Sequence, residues 1–376
     1  MNLIKIMTQQ LVFTRYLYSV DETIHSLLLC VLEKKSFQKC LFWLSELYYS
    51  KFYQLLWDLM WQTYYDFYAI TNPKFEKYIL KSQKKWIKKN DISHVIDVIN
   101  VLYYATSISN NVFKMRTKCA SMPKTIYKKT PKWVLKLNLS RKEQSFIQSL
   151  HNKNHRDIQF YFHQIQNNID RCGLIIKEYV DSTKLIDKNI IDPTIIDKNI
   201  IGLNCAFKNI LYNNKRHIVL STICCLMNDS LKVNNRLIKK KVKLEDVVFV
   251  ENANAVSDKI RLTLTEKRKF SIESQIGFFN NNRIENYSHA LWYKWEYYAR
   301  KCPLWKERFE KYKCSFEKKE PVFPSEDLLE EFYEEFGYEP DEQSKECQMK
   351  SLQPLMKEVN IELLEDFKGI YFPRGK

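Results

Sequence analysis

The chain reads as a predominantly α-helical protein, with an N-terminal α-solenoid-like or bundle array followed by further helical regions, loop-rich insertions and little sheet. Three observations predict it. Apolar and aromatic residues recur at helical spacing from Ser36 to Ser107. Glycine is scarce, 6 in 376 residues, whereas sheets and phosphate loops need it for positive φ and close backbone approach. A chain that is 45% hydrophobic and 14% aromatic is too rich in apolar residues to be disordered.

The elements follow in order. Ser19 with Glu22 fits a capping box ahead of Ile24, Leu27, Leu28 and Val31. Phe37, Leu41, Leu44 and Tyr48 share one face of a second helix, which Cys40, Trp43 and Leu47 widen. A third segment has Leu56, Met60, Tyr64 and Phe67 on one side and Trp57, Trp61, Tyr65 and Tyr68 on the other. A helix apolar nearly all round must be covered on both sides. Asn72-Pro73 supplies an N-cap and first helical position for a helix through Trp86 and Ile87. Asp91 caps the next, whose face is Val95, Val98, Ile99 and Leu102. These five helices form an N-terminal array over residues 1–112.

Residues 113–143 form a basic linker broken by Pro123 and Pro131. It gathers Lys114, Arg116, Lys118, Lys124, Lys128, Lys129, Lys132, Lys136, Arg141 and Lys142 against one acid, Glu143. A middle helical region spans 144–230. There Ser140 opens a run carrying Phe146, Leu150, Ile158, Phe162 and Ile165, and a helix covers Asn213 to Met227. Between them, Leu185–Ile191 recurs as Ile195–Ile201, a local duplication in a loop, too short for a solenoid. A polar, basic loop over 231–260 holds the run Lys239–Lys243, a wet loop before it is a targeting signal. The C-terminal helical region, 261–376, carries Trp292, Trp295, Tyr298 and Ala299, then Trp305 and Phe309 beyond Pro303. Its last helix holds Leu328, Leu329, Phe332 and Phe336, with Gly337 as C-cap, and ends in an acidic tail.

Charge is unevenly spread. From Glu320 to Lys376 there are 15 acidic and 6 basic residues, leaving 54 basic and 29 acidic in the rest. A basic body with an acidic tail suits an anionic partner, although an AT-rich coding composition gives the same bias. In the linker, lysines neutralise phosphates while Tyr127 and Trp133 offer rings for stacking. The nucleic-acid-binding set is therefore Lys114, Arg116, Lys118, Lys124, Lys128, Lys129, Lys132, Trp133 and Lys136, with DNA, RNA and an acidic protein undistinguished.

Several chemistries find no support. No two glycines stand at G-x-G spacing, so Rossmann and P-loop fingerprints are absent. The 10 cysteines include no C-x-x-C, and Cys224-Cys225 sits in an apolar segment as small buried hydrophobes. His151, His155 and His163 would share a helix side, but Asn152, Lys153 and Asn154 leave no metalloprotease carboxylate between the first two. Asp341 with Asp366-Phe367-Lys368 matches a nuclease spacing only loosely, in a tail that reads helical. No catalytic residue, cofactor or metal ligand is assigned. No signal peptide is apparent, and the longest apolar stretch, His217 to Met227, is too short to span a bilayer. An intracellular protein without membrane insertion is expected.

Short segments spread over most of the chain carry a resemblance. They are Asp21-Glu22 with the leucines after it, Phe42–Tyr49, Tyr64–Ala69 with Asn72-Pro73, and Pro131-Lys132-Trp133. Further on come Trp295–Ala299 with Pro303-Leu304-Trp305, and Phe336–Gln343. In these the chain resembles an uncharacterised protein family of nucleocytoplasmic large DNA viruses, the giant viruses. The resemblance implies a virus-encoded protein of host cytoplasm, viral factory or virion, and brings no catalytic residue. The resulting expectation is a non-enzymatic helical binding or scaffold protein whose basic body meets nucleic acid. The alternatives are a virion or assembly component binding other viral proteins and, behind it, a metal-dependent nuclease using Asp341 and Asp366.

Overall fold

The computed structural model describes residues 11–34, 36–117, 134, 138–186, 215–227, 234, 236–242, 290 and 293–336. In chain order the elements are α1 (Val20–Leu32), α2 (Phe37–Tyr49), α3 (Tyr53–Thr63), a π-helical turn (Tyr64–Tyr68), α4 (Phe75–Lys89), α5 (Ser93–Tyr104) and α6 (Asn111–Thr117). There follow α7 (Arg141–His151), α8 (His155–Ile165), α9 (Ile169–Ile186), α10 (Lys215–Leu226), α11 (Trp295–Ala299) and α12 (Pro303–Lys311). A two-stranded antiparallel sheet, β1 (Ser315–Glu317) and β2 (Glu320–Val322), precedes α13 (Glu326–Phe336). The fold is predominantly α, as the periodicity predicts. The duplication at 185–201 and the tail with Asp341 and Asp366 lie largely or wholly outside the described residues.

The described residues divide into two compact units, one holding those up to Leu59 and from Lys240 onward, the other those from Met60 to Lys239. In the first, α1 and α2 pair as a helical hairpin. Tyr18, Phe42 and Trp43 interlock edge-on with ring centroids 4.8–5.9 Å apart. Ahead of α1 the chain reverses at Thr14–Tyr18, where Leu17 takes φ 59° and the Thr14 amide donates to the Tyr18 carbonyl at 2.8 Å. Glu46 on α2 is fully buried and holds this reversal: it accepts from the Arg15 Nε at 2.9 Å and the Tyr16 amide at 3.1 Å. The Arg15 guanidinium lies over the Tyr16 and Tyr49 rings, which shield the pair from water. The C-terminal helices close on the same loop, with the Trp305 indole donating to the Thr14 carbonyl at 3.1 Å.

Pro303 stands in the first turn of α12 and divides it from α11. The hairpin β1–β2 is unannounced in the sequence, because its two-residue turn is Lys318-Lys319, both at positive φ (48° and 71°). Tight hairpin turns of that shape normally carry Asn-Gly or Asp-Gly.

In the second unit, α4 pairs with α5 and α7 with α8, while α10 packs against α6, α9 and the π-helical turn. Every residue of α10 from His217 to Leu226 is buried, Cys224 and Cys225 included. Of the third segment's two apolar sides, Met60, Trp61, Tyr64, Tyr65, Phe67 and Tyr68 are buried in this unit, and Leu56 and Trp57 are buried in the first.

Several boundaries move. Asn72 does not cap α4, which begins at Phe75; its Nδ2 instead donates to the Ser107 carbonyl at 2.7 Å. The N-cap of α5 is Ile92, not Asp91, although Asp91 just ahead of it accepts from the Ser93 amide at 2.8 Å. Ser140 and Glu143 form a full capping box on α7. The run beyond it breaks at Lys153, φ 51°, and α8 starts afresh with Asn154 as N-cap. His151 therefore ends α7 and His155 begins α8, so the two are not successive turns of one helix. The stretch expected to open a linker at Phe113 is helical in α6 through Thr117.

Glu46→Ala should destabilise the protein by about 4 kcal/mol, because it strands the Arg15 charge and the Tyr16 amide in a buried site. Glu46→Gln keeps an acceptor and should cost less. Chemical denaturation measures both, and a loss under about 1 kcal/mol for the alanine variant would show that the carboxylate does not hold the loop.

Candidate nucleic-acid interface

Helix α4 carries the densest positive charge among the described residues. Lys74, Lys77, Lys81, Lys84, Lys85, Lys88 and Lys89 are all exposed. At about 100° per residue these seven fall within an arc of about 140°. They extend along about 22 Å of helix axis at 1.5 Å per residue. The opposite side is the anchor: Phe75, Ile79, Ser82 and Gln83 are buried, and the Trp61 indole donates to the Gln83 side-chain oxygen at 2.7 Å. The helix ends on Asn90 in the left-handed conformation, φ 48°, and carries Lys88 and Lys89 in its last turn, where they offset the helix dipole.

Among the described residues, the acids around α4 do not neutralise this face. Glu76 is the helix's own carboxylate, turned inward and bonded by the Tyr65 hydroxyl at 3.0 Å. Burial pushes its carboxyl up to about 7, against a smaller downward pull from that hydroxyl. Asp97 on α5 is ion-paired with Lys239. Asn234 is held on the same unit, its amide donating to the Thr71 carbonyl and its Nδ2 to the Thr106 hydroxyl, each at 2.7 Å. Tyr78, half-buried, has its hydroxyl pKa raised, first by burial and then by Asp97, with Lys239 opposing. Asp91, just past the helix, is held below the usual carboxylate range chiefly by the Ser93 amide, with a small contribution from Lys89.

Of the residues the sequence assigns to nucleic acid, Lys118, Lys124, Lys128, Lys129, Lys132, Trp133 and Lys136 lie outside the described residues. Lys114 falls on α6, but its side chain is also outside them. Arg116 is described and is engaged internally. Its Nε and Nη2 donate to the two oxygens of Asp66 at 3.2 and 3.0 Å, and its side chain is 9% exposed. Asp66 sits on the π-helical turn, fully buried; burial raises its pKa while the Arg116 charge and hydrogen bond pull it down. His217 on α10 is kept neutral by burial, with the Arg116 and Arg216 charges adding to the effect. This constellation is a paired buried charge, not a solvent-facing contact.

Sequence reasoning read α4 for its apolar side and passed over its lysines. The signal was there: seven lysines and one acid between Lys74 and Lys89, at spacings that stay on one side of a helix. Among the described residues no three His, Cys, Asp or Glu side chains converge as a metal-holding group. No described helix is long and apolar enough to cross a membrane. Comparison of the chain with protein families, characterised proteins and solved structures finds no match.

The raised Glu76 carboxyl has a pH consequence with a definite sign. A group whose pKa rises on folding adds stability that is complete below its unfolded value and disappears as pH climbs through the folded one. Between pH 4.5 and about 7, Glu76 should therefore erode stability with rising pH. Glu76→Gln should flatten that part of the profile of melting temperature against pH, and an unchanged profile would refute the assignment.

Proposed function

We propose that this chain is a non-enzymatic helical binding protein whose basic body contacts a polyanion, nucleic acid before any other. The observation that carries the reading is the lysine arc of α4, seven exposed ammonium groups on a helix whose rotation is fixed from behind. One strand of a duplex carries a phosphate about every 3.4 Å along the axis, so a 22 Å row of lysines faces about six. Lys124, Lys128, Lys129, Lys132 and Trp133 form a second set of contacts in the proposal, on composition alone. Arg116 is left out of the contact set because Asp66 occupies it.

The resemblance to a giant-virus family is in keeping with such a module serving genome handling inside an infected cell. A second reading, an assembly component that docks other viral proteins, draws on α13. There Glu326, Asp327, Glu330, Glu331 and Glu334 are exposed, and Leu329 beside them is 37% exposed. An acidic helix suits a basic protein partner and repels nucleic acid.

The test is salt-dependent binding to random-sequence DNA and RNA. Lysines that contact phosphates release counterions, so log affinity falls linearly with log salt, by about 0.9 per contact for duplex and about 0.7 for single strands. Replacing Lys81, Lys84, Lys85 and Lys88 by alanine should reduce the slope by about 3, and replacing Lys128, Lys129 and Lys132 by about 2. No affinity at low salt, or an undiminished slope in both variants, would overturn the nucleic-acid reading. Retention on viral structural proteins that is lost with charge-neutral α13 variants would favour the docking reading instead.

A further inference from the structure

We propose that the lysine face of α4 takes single-stranded rather than duplex nucleic acid, an inference resting on the polyanion reading above. It comes from what stands at the edges of the lysine arc. Ile87 is 54% exposed, and at about 100° per residue it lies about 60° around the helix from Lys84. Trp86 is half-buried and flanks the other edge, about 60° beyond Lys89. The last turn and a half thus presents Lys84, Lys85, Lys88 and Lys89 between an aliphatic and an aromatic side chain.

An exposed apolar group amid cations adds to binding when the partner offers an apolar face at the same depth as its phosphates. A duplex does not, since its bases are stacked inside and the backbone is what a surface helix meets. Phe75, Ile79, Ser82 and Gln83 hold the helix from behind, so its lysine arc and the two edges face the bound partner together. An unpaired strand exposes base faces beside its phosphates, and such faces pack on aromatic and apolar side chains without regard to base identity. An anionic lipid surface also pairs charge with apolar depth. It would need a wide apolar face, and that of α4 points into the protein, leaving Ile87 and part of Trp86 outside.

The experiment uses the full chain and follows fluorescence anisotropy of labelled oligothymidylate of about 20 nucleotides and of a duplex of equal length, at matched ionic strength. Oligothymidylate should bind at least about tenfold more tightly near 0.15 M salt. Ile87→Ala should weaken oligothymidylate about fivefold, leave its salt slope unchanged and leave duplex binding alone. Lys84→Ala with Lys88→Ala should instead reduce the single-strand slope by about 1.4. Trp86→Leu, which keeps an apolar packing group, guards against misreading a folding defect and should also weaken oligothymidylate selectively. Equal or tighter duplex binding overturns the inference while leaving the polyanion reading intact. So does an Ile87→Ala variant that matches wild type on both nucleic acids, or preference for phosphatidylserine vesicles over oligothymidylate. Failure to bind either nucleic acid at low salt overturns the polyanion reading itself.

Discussion

The rotation of α4 about its own axis is the constraint on which the surface of its unit depends. Phe75 and Ile79 must be buried, and the Trp61–Gln83 hydrogen bond and the Tyr65–Glu76 hydrogen bond each permit one azimuth. A helix turned by a third of a circle would bury ammonium groups, at several kcal/mol each, and expose an indole partner. Once Gln83 faces Trp61, every lysine from Lys74 to Lys89 has its direction assigned. The polar anchors thus do what packing alone does poorly, since an apolar stripe of Phe75 and Ile79 tolerates some roll and a hydrogen bond at 2.7 Å tolerates little.

Among the described residues, two fully buried carboxylates are each met by an arginine. Glu46 is bound by Arg15 and Asp66 by Arg116, each carboxylate having no solvent exposure. Glu76 is relieved by holding its proton to about 7, and His217 by losing its own. Buried pairs of this kind add little net stability over apolar residues of the same volume, but removal of one partner is costly, so they fix geometry more than they add free energy. The pair on Tyr64–Tyr68 is the clearer case. A π-helical turn widens the backbone by one residue, and Asp66 within it reaches the guanidinium on α6. Arginine serves inside because its planar fork matches a carboxylate, and lysine serves outside as a hydrated point charge.

Much of the fold was legible because burial obeys a period. The stripes on α2 and on the third segment and the Ser140 capping box all follow from residue types at fixed offsets. What was not legible depended on choices a sequence leaves open. Asn72 could cap a helix or satisfy a distant carbonyl, and the loop after α5 decided for Ser107. The break between His151 and His155 rests on a lysine, Lys153, taking the left-handed conformation, a residue type with no turn signature. The same holds for Lys318-Lys319 at the β-hairpin. The α4 lysines are hard to see for a different reason: they stand on a helix with a strong apolar side, not between helices, where proline marks a linker. Arg116 is the converse, a cation in a basic run whose partner lies 50 residues upstream.

The chemistry of the α4 face also limits what it can discriminate. No arginine stands between Lys74 and Lys89, so the bidentate fork that reads guanine edges is absent from it. A lysine ammonium meets a phosphate from any direction and reports neither base nor groove, and an aliphatic or indole edge accepts the π-face of every base alike. Selectivity on such a surface comes from the density of charge and from whether apolar faces are exposed, not from sequence. Sequence selectivity in this chain would therefore have to arise elsewhere, on elements with arginine, asparagine or glutamine at the contact.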